Sequence, residues 1–491
     1  MTASDLPIVL ERDSALPLAA QLATALRGAI LDGTLRHDEP LPSTRALAAV
    51  VRVSRGTVVA AYDQLGGEGY LLARPGSATR VSVQRHDPDN SAPTEQTATA
   101  NPTAPTAAGA TPRPLLDLAP GHPSTRSLVD PAWTAAWRKA VVASGRSDSP
   151  PAGGTLELRQ AIADHVRRAR GLACHPDDVI VTAGTSDALA GIGLALGTGA
   201  DAPRIAVEDP GYPAARRVLR RVGATLLPVP AGENGIDLAE LAALAPAPHA
   251  VLVTPSHQYP LGGSLPVQSR LNLLDWARAE DAIVIEDDYD SEFRFGTAPL
   301  PALATLDSSG RVVLVGSFSK TVTPWIRCGY LVATGTLGAI LREVRDDLGP
   351  SVSGVQQAAL AHYLRSGGLA RNITRVRREY AHRRALVIAR LGALPGVRLG
   401  GLAGGLHVVV HTDGLPGPAT GAAGRADASA LVAEAAARGV RVASLADYAV
   451  LDRGQHGLVL GYGAPTDLEL ARALEVLADL LTAARREFTC A

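Results

Sequence analysis

The run Arg311-Val312-Val313-Leu314-Val315-Gly316-Ser317-Phe318-Ser319-Lys320-Thr321 decides how this chain is read. An apolar, strand-like stretch breaks into a turn of small residues and ends on an amine. The basic residues elsewhere are almost all arginine, and Lys139 and Lys320 are the chain's two lysines. Arginine cannot form a Schiff base, whereas lysine can once burial or a neighbouring cation lowers its pKa. A lone strand-end lysine is most often a solvated surface residue. The reading of Lys320 therefore rests on its company.

Outward from Lys320, from Leu115 onward, strand-like runs alternate with helical stretches, the pattern of an α/β sheet with covering helices. Residues 179–182 form a strand that ends in Ala183-Gly184-Thr185-Ser186-Asp187, and a helix follows over 188–196. Free backbone N–H groups at such a helix start offer a seat for an anion, here a phosphate. A strand over 204–207 leads into Glu208-Asp209-Pro210-Gly211-Tyr212-Pro213, which sets an aromatic on a rigid turn. The strand 251–254 runs into Pro255-Ser256-His257-Gln258-Tyr259-Pro260-Leu261-Gly262-Gly263, and 282–285 into Glu286-Asp287-Asp288-Tyr289-Asp290. Strand ends are where α/β sheets place ligands, and five successive ones here carry polar or aromatic side chains.

The first eighty or so residues read differently. Leu18, Leu22, Ala25, Leu26, Ala29 and Ile30 recur at helical spacing over 17–32, with Gly33 as a stop. Ser43 can cap a helix over 44–51, and Ser54 a second over 55–65. Two short helices with a tight turn between them have the layout of a helix-turn-helix, whose second helix enters the major groove. Residues 70–83 read as two strands around Pro75-Gly76, a wing. Between 84 and 114 the chain turns to Pro, Thr, Ala, Ser and Asn, which cannot bury enough apolar surface to offset ordering and predicts a flexible linker. The expected organisation is a head over 1–83, a linker over 84–114 and a body over 115–491.

The composition bounds the function. At 491 residues the chain exceeds one typical domain. No apolar run approaches the roughly 18 residues of a membrane span, and the start of the chain lacks a secretion-signal pattern. Cys174, Cys328 and Cys490 are odd in number and far apart without metal-ligand spacing, which suits a reducing cytoplasm. A net charge of −1 predicts no bulk attraction to nucleic acid, so any DNA contact is a local surface.

Residues 41–48, Leu-Pro-Ser-Thr-Arg-Ala-Leu-Ala, then Val53-Ser54-Arg55-Gly56-Thr57-Val58, Ala61-Tyr62-Asp63-Gln64-Leu65 and Glu68-Gly69-Tyr70-Leu71 resemble the winged helix-turn-helix of the GntR class of bacterial regulators. The resemblance implies double-stranded DNA as partner. It makes Arg45, Ser54, Arg55 and Thr57 the DNA-facing candidates, with Arg74 and Arg80 near the wing tip. The strand-end motifs of the body, in their order, resemble the fold-type I aminotransferases, which hold pyridoxal phosphate. That resemblance implies a mixed, mostly parallel sheet with covering helices and a smaller C-terminal subdomain. Lys320 then matches the lysine of the internal aldimine, and Asp287 the partner of the pyridine nitrogen. Tyr289 matches the donor to the phenolic oxygen and Tyr212 the stacking aromatic, with His257 and Gln258 lining the adjacent loop. Thr185, Ser186, Ser317, Ser319 and Arg327 match the phosphate ligands.

A GntR-like head, a linker and an aminotransferase-like body together resemble the MocR-type transcriptional regulators. Gly404-Gly405-Leu406-His407 fits that family too. The family implies a head-to-tail homodimer in which one subunit's head reaches over the other. The pattern breaks in three places. Val459 falls where the family's substrate-carboxylate arginine stands, Ala214 where γ-aminobutyrate-binding members carry another arginine near Arg216 and Arg217, and Ser149 where a tyrosine reaches the partner's phosphate. Arg383 and Arg384 could supply a substitute clamp, although such pairs are usually a solvated helix face. The expectation is a cytoplasmic DNA-binding regulator with weak or no transaminase activity. Pyridoxal phosphate, with or without an amino compound, would be its effector, and vitamin B6 or amino-compound metabolism its field. The competing readings are an active aminotransferase carrying a helix-turn-helix, and a degenerate regulator that no longer binds cofactor.

Overall fold

The computed structural model describes residues 8, 10–12, 17–31, 33–67, 70–72, 79–82, 116–126, 128–143, 148–197, 202–295, 300–413, 428–451 and 456–486. The expected linker, Arg74 at the wing tip and Cys490 lie outside the described residues.

The head is three helices and a two-stranded ladder: α1 (Leu18–Leu31), α2 (Thr44–Val50), α3 (Arg55–Gly67), β1 (Leu71–Leu72) and β2 (Arg80–Val81). Leu22 and Leu26, one turn apart on α1, are fully buried against Leu47, Val58 and Leu65. The Ser43 hydroxyl accepts the Ala46 amide and the Ser54 hydroxyl the Thr57 amide, so both predicted caps satisfy amides that a helix start leaves without intrahelical partners. Tyr62 donates to the Pro42 carbonyl at 2.8 Å and pins α3 to the entry of α2. β1 and β2 pair antiparallel, Leu71 opposite Val81, which is the stem of the expected wing. Val267 of the body is buried in the same cluster.

The body is built on an eight-stranded sheet. In chain order its strands are β4 (Val179–Thr182), β5 (Arg204–Asp209), β6 (Thr225–Gly232), β7 (Gly235–Ile236), β8 (Ala250–Val253), β9 (Ile283–Asp288), β10 (Val312–Ser317) and β11 (Gly329–Val332). In space they run β4-β11-β10-β9-β8-β5-β6-β7, with β11 and β7 antiparallel to their neighbours and the rest parallel. Helices cover both faces, so the strands are apolar on both. Ile285, Val313 and Val315 pack under the helix at Thr185–Leu196, and Val284 and Val312 under the helix Val267–Ala279. A smaller antiparallel sheet, β12 (Arg398–Gly400), β13 (His407–His411), β16 (Gly457–Gly461) and β15 (Ala443–Ser444), forms the C-terminal subdomain. β3 (Leu116–Asp117) joins it through β14 (Val440–Arg441).

One strand runs longer than the sequence predicts. Glu286, Asp287 and Asp288 are part of β9, paired with β10 and buried, where a strand-end loop is expected. Three consecutive buried carboxylates are tolerated because a strand alternates faces and one arginine meets two of them. Arg170, at the end of the helix Leu156–Arg170, is fully buried. Its Nε lies 2.7 Å from Asp288 Oδ2 and its Nη2 3.6 Å from Glu286 Oε1, and it donates to the Leu300 carbonyl and the Ser256 hydroxyl. Glu286 also accepts the Leu303 and Ala304 amides. Replacing one partner of a buried ion pair strands the other, at a cost of roughly 3–5 kcal/mol. Arg170→Ala is therefore expected to lower body stability by about that amount in urea unfolding. An unchanged unfolding midpoint would show that Glu286 and Asp288 do not depend on the guanidinium.

Candidate functional site

At the carboxyl ends of β4, β9 and β10 a cavity of about 330 Å³ opens, and most of the predicted residues line it. Its floor at one end is the start of the helix at Thr185, preceded by Gly184 at φ 95°. The free amides there face Thr185, Ser186, Ser317, Ser319 and Arg327, all on the cavity wall. Ser319 places its amide on the Ser317 hydroxyl at 3.1 Å, and that hydroxyl donates to Ser319 Oγ at 2.9 Å, which closes the small-residue turn before Lys320. Arg327 sits at φ 39°, ψ 50°, a left-handed conformation that an arginine adopts only under constraint. A Cβ on Gly184 would lie 3.9 Å from its Nη1, so the guanidinium rests against the helix start. A fork-shaped cation, hydroxyls and helix amides form a seat for a phosphate-like anion.

At the other end stands Lys320. Its Nζ donates to the Gly121 carbonyl at 2.5 Å. Burial lowers its pKa, opposed by the carboxylates of Asp290 and Asp287. Asp287 lines the same cavity. Burial first, then the neighbouring Asp288, Glu208 and Asp290 carboxylates, push it up to about 7. Its Oδ1 is buried without a hydrogen-bond partner. An orphaned acceptor in such a place fits a proton-bearing ring nitrogen. Glu208, beside it, accepts from the Thr254 amide and hydroxyl, and burial raises it to about 7.

The walls are aromatic. Tyr212, 39% exposed, stands at the mouth edge-on to Tyr259 with centroids 5.7 Å apart. Tyr259 also meets Tyr289 and Tyr448 edge-on. His257 and Gln258, predicted beside the ligand, do not line the cavity. Gln258 is turned away onto the Pro210 and Tyr259 carbonyls, and His257 lies behind Tyr289. Tyr259 and Thr254 take the wall position instead, together with His122 and His407. Tyr259 lies in the very loop quoted from the sequence, but which of three neighbours faces inward is a matter of backbone direction. His122 lies just past the predicted linker, in a stretch with no periodicity to mark it.

Among the described residues, no lysine or arginine lines the wall besides Lys320 and Arg327. Arg216 is buried and committed to Asp209 and the Tyr448 carbonyl, and Arg217 is exposed. Arg383 is buried between Asp467, Glu379 and the Gly463 carbonyl, a tie within the subdomain and not the solvated face its spacing suggests. Arg384 donates to the Leu402 carbonyl and lies over Phe295. Val459 is fully buried with Val409, Leu445 and Tyr448, with Tyr259 packed on them.

In the head, Arg45 and Arg55 are exposed near the starts of their helices. Ser54 and Thr57 share a hydrogen bond of 2.8 Å at the second helix start, where Arg55 Nε reaches Thr44 Oγ1 at 3.3 Å. Arg80 is held on Asp38 through its carbonyl and carboxylate. The described residues contain no helix long and apolar enough to cross a membrane.

Two family models match this chain: "Bacterial regulatory proteins, gntR family" over residues 18–81 and "Aminotransferase class I and II" over 113–454. The chain is 41% identical over 485 residues to the HTH-type pyridoxine biosynthesis transcriptional regulator PdxR of Corynebacterium glutamicum, covering 98% of this chain and 99% of that protein. It is 36% identical to the probable rhizopine catabolism regulatory protein MocR of Rhizobium meliloti, over 78% of each. Among solved structures, an archaeal alanine:glyoxylate aminotransferase superposes with a TM-score of 0.67 at 22% identity, covering 75% of this chain and 91% of that one. The LysN α-aminoadipate aminotransferase of Thermus thermophilus, complexed with N-(5'-phosphopyridoxyl)-L-leucine, does so with a TM-score of 0.65 at 26% identity, covering 75% and 92%.

The raised pKa of Asp287 has a stability consequence for the ligand-free protein. Between its ordinary value near 4 and about 7, the folded state holds a proton that the unfolded state has lost, so stability falls as pH rises through that window. Asp287→Asn removes this dependence. The ligand-free variant should unfold at a higher temperature than wild type at pH 8 and close to it at pH 5, with Glu208 and Asp288 keeping a residual slope. Parallel melting curves for the two proteins across that range would contradict the assignment.

Proposed function

Because the chain belongs to the MocR-type transcriptional regulators, in which a gntR-type head is joined to an aminotransferase-like body, we propose that it binds double-stranded DNA and takes pyridoxal phosphate at Lys320 as its signal. One observation carries the choice of signal: the cavity has a seat for a phosphate, an acceptor for a ring nitrogen and an amine, and among the described residues no lysine or arginine beyond Lys320 and Arg327. Where a substrate carboxylate would be gripped, Tyr259 forms the wall, backed by the buried Tyr448 and Val459. A carboxylate placed there would lose its water without gaining a partner. Weak or no transamination follows from that.

When bound, the cofactor supplies an aldehyde that an amine can capture and a ring that withdraws electrons. In this reading Lys320 holds the aldehyde end, aided by a burial-lowered proton affinity. Asp287 would accept a hydrogen bond from the protonated ring nitrogen at its Oδ1. Arg327, Ser317, Ser319, Thr185 and Ser186 hold the phosphate, Tyr212 covers the ring and Tyr289 donates to its oxygen. Arg45 and Arg55, with Ser54 and Thr57, face DNA from the helix starts. The name of the Corynebacterium relative, which ties that protein to pyridoxine biosynthesis, supports cofactor supply as the process under control. We place the head over 1–83, the linker over 84–114 and the body over 115–491, acting in the cytoplasm as a homodimer. Cofactor binding biases the dimer between arrangements that set the heads differently on DNA, by no more than its differential affinity for them.

Gel-shift titration of an operator fragment, with and without pyridoxal phosphate, tests this. Arg55→Ala should weaken DNA binding by about 1–3 kcal/mol whether or not the cofactor is present. Lys320→Ala should bind DNA as the cofactor-free wild type does and no longer respond to the cofactor. A full response in Lys320→Ala would defeat the proposal.

A further inference from the structure

His257 and Asp290 do not line the cavity, yet both are deeply buried polar groups beside it. His257 is 3% exposed and Asp290 1%. The Nδ1 of His257 lies 2.9 Å from Asp290 Oδ2 and 2.9 Å from the Tyr289 hydroxyl oxygen. The His257 and Tyr289 rings stack at 27° with centroids 5.9 Å apart. A nitrogen that faces two oxygens carries the hydrogen, because a bare Nδ1 would set its lone pair against the carboxylate. The tyrosine oxygen then shares that hydrogen as an acceptor. Its own proton has no acceptor on this side and turns to the cavity, which Tyr289 lines.

We propose that Asp290 and His257 are a positioning pair that holds the Tyr289 hydroxyl as a proton donor aimed into the cavity, at an oxygen of the bound cofactor ring. This rests on the cofactor reading above and adds two residues to it. The surroundings are shaped for the pair. Gly405, at φ 74°, leads into β13, and a Cβ there would collide with His257 Cε1 and Asp290 Oδ2. His407 packs 5.2 Å from the His257 ring and directs its Nε2 to the Pro260 carbonyl at 2.9 Å, while burial and His257 hold it down to about 4. Burial, then Asp290 and other buried neighbours, holds the Tyr289 phenol well above its ordinary pKa, so it remains a donor. His257, Asp290 and His407 approach one another closely enough to suggest a metal site. The hydrogen-bond spacing of Nδ1 and Oδ2, and the prior engagement of His407 Nε2, favour a shared proton over an ion. The charged and titratable groups facing the triad are Asp287, Lys320, His407, Tyr259, Glu208 and Arg294.

The test is the pH midpoint at which the absorption band of bound pyridoxal phosphate changes, in wild type, His257→Gln, Asp290→Asn and Tyr289→Phe. A donor aimed at the ring oxygen favours the deprotonated chromophore, so its loss raises the midpoint. Tyr289→Phe sets the ceiling. Each of the other two should shift the midpoint up by about one pH unit, a tenfold change in proton affinity. Asp290→Asn added to Tyr289→Phe should shift it no further. A purely structural role would lower cofactor occupancy or melting temperature and leave the midpoint of the bound fraction in place. That outcome, seen in both single variants, would overturn the pair. Absence of any band in wild type would overturn the cofactor reading itself, and the pair with it.

Discussion

The body depends on how one buried strand carries three carboxylates in a row. β9 delivers Glu286 and Asp288 to one face, where Arg170 and the amides of Leu303 and Ala304 meet them, and Asp287 to the other, where its Oδ1 finds no hydrogen-bond partner among the described residues. Without the guanidinium, the alternation would bury uncompensated charges on both faces of the sheet. With it, the first face becomes a fixed part of the core. The second keeps a single carboxyl free for a ligand. The isolated acceptor at the cavity floor is thus a product of strand periodicity and one arginine at a helix end.

The remaining parts of the cavity come from segments that are distant in sequence and adjacent only because parallel strands end on the same edge. Thr185 follows β4, Asp287 is next to last in β9, and Ser317 ends β10. Lys320 lies just beyond β10, and Gly121, which accepts its amine, comes from the opening of the body almost two hundred residues earlier. Such a site is assembled only when the whole sheet is. A ligand that bridges the helix start, β9 and Lys320 would therefore favour the assembled state.

The arginines near the cavity are engaged elsewhere: Arg216 on Asp209, Arg383 on Asp467, Arg384 on Leu402. An edge-on cluster of Tyr212, Tyr259, Tyr289 and Tyr448 fills the space beside the ring seat.

The sequence by itself determined the alternation of strands and helices, the helix-turn-helix with its serine caps, and the seats of Lys320, Asp287, Arg327 and the small polar residues at strand ends. The alternation, the caps and the polar strand ends follow from local rules of periodicity, capping and the gathering of parallel strand ends, whereas the seats of Lys320, Asp287 and Arg327 are what the family resemblance implies. Tertiary structure alone decided the direction of each side chain within a loop, so that Tyr259 faces the cavity while His257 and Gln258 stand behind it. It also decided that β9 extends through its carboxylates and that Arg383 is buried in place of being solvated. The reason is the same in each case. A partner more than eighty residues away, such as Asp467 for Arg383 or Arg170 for Asp288, fixes the energy of a charged side chain, and no local pattern carries that information.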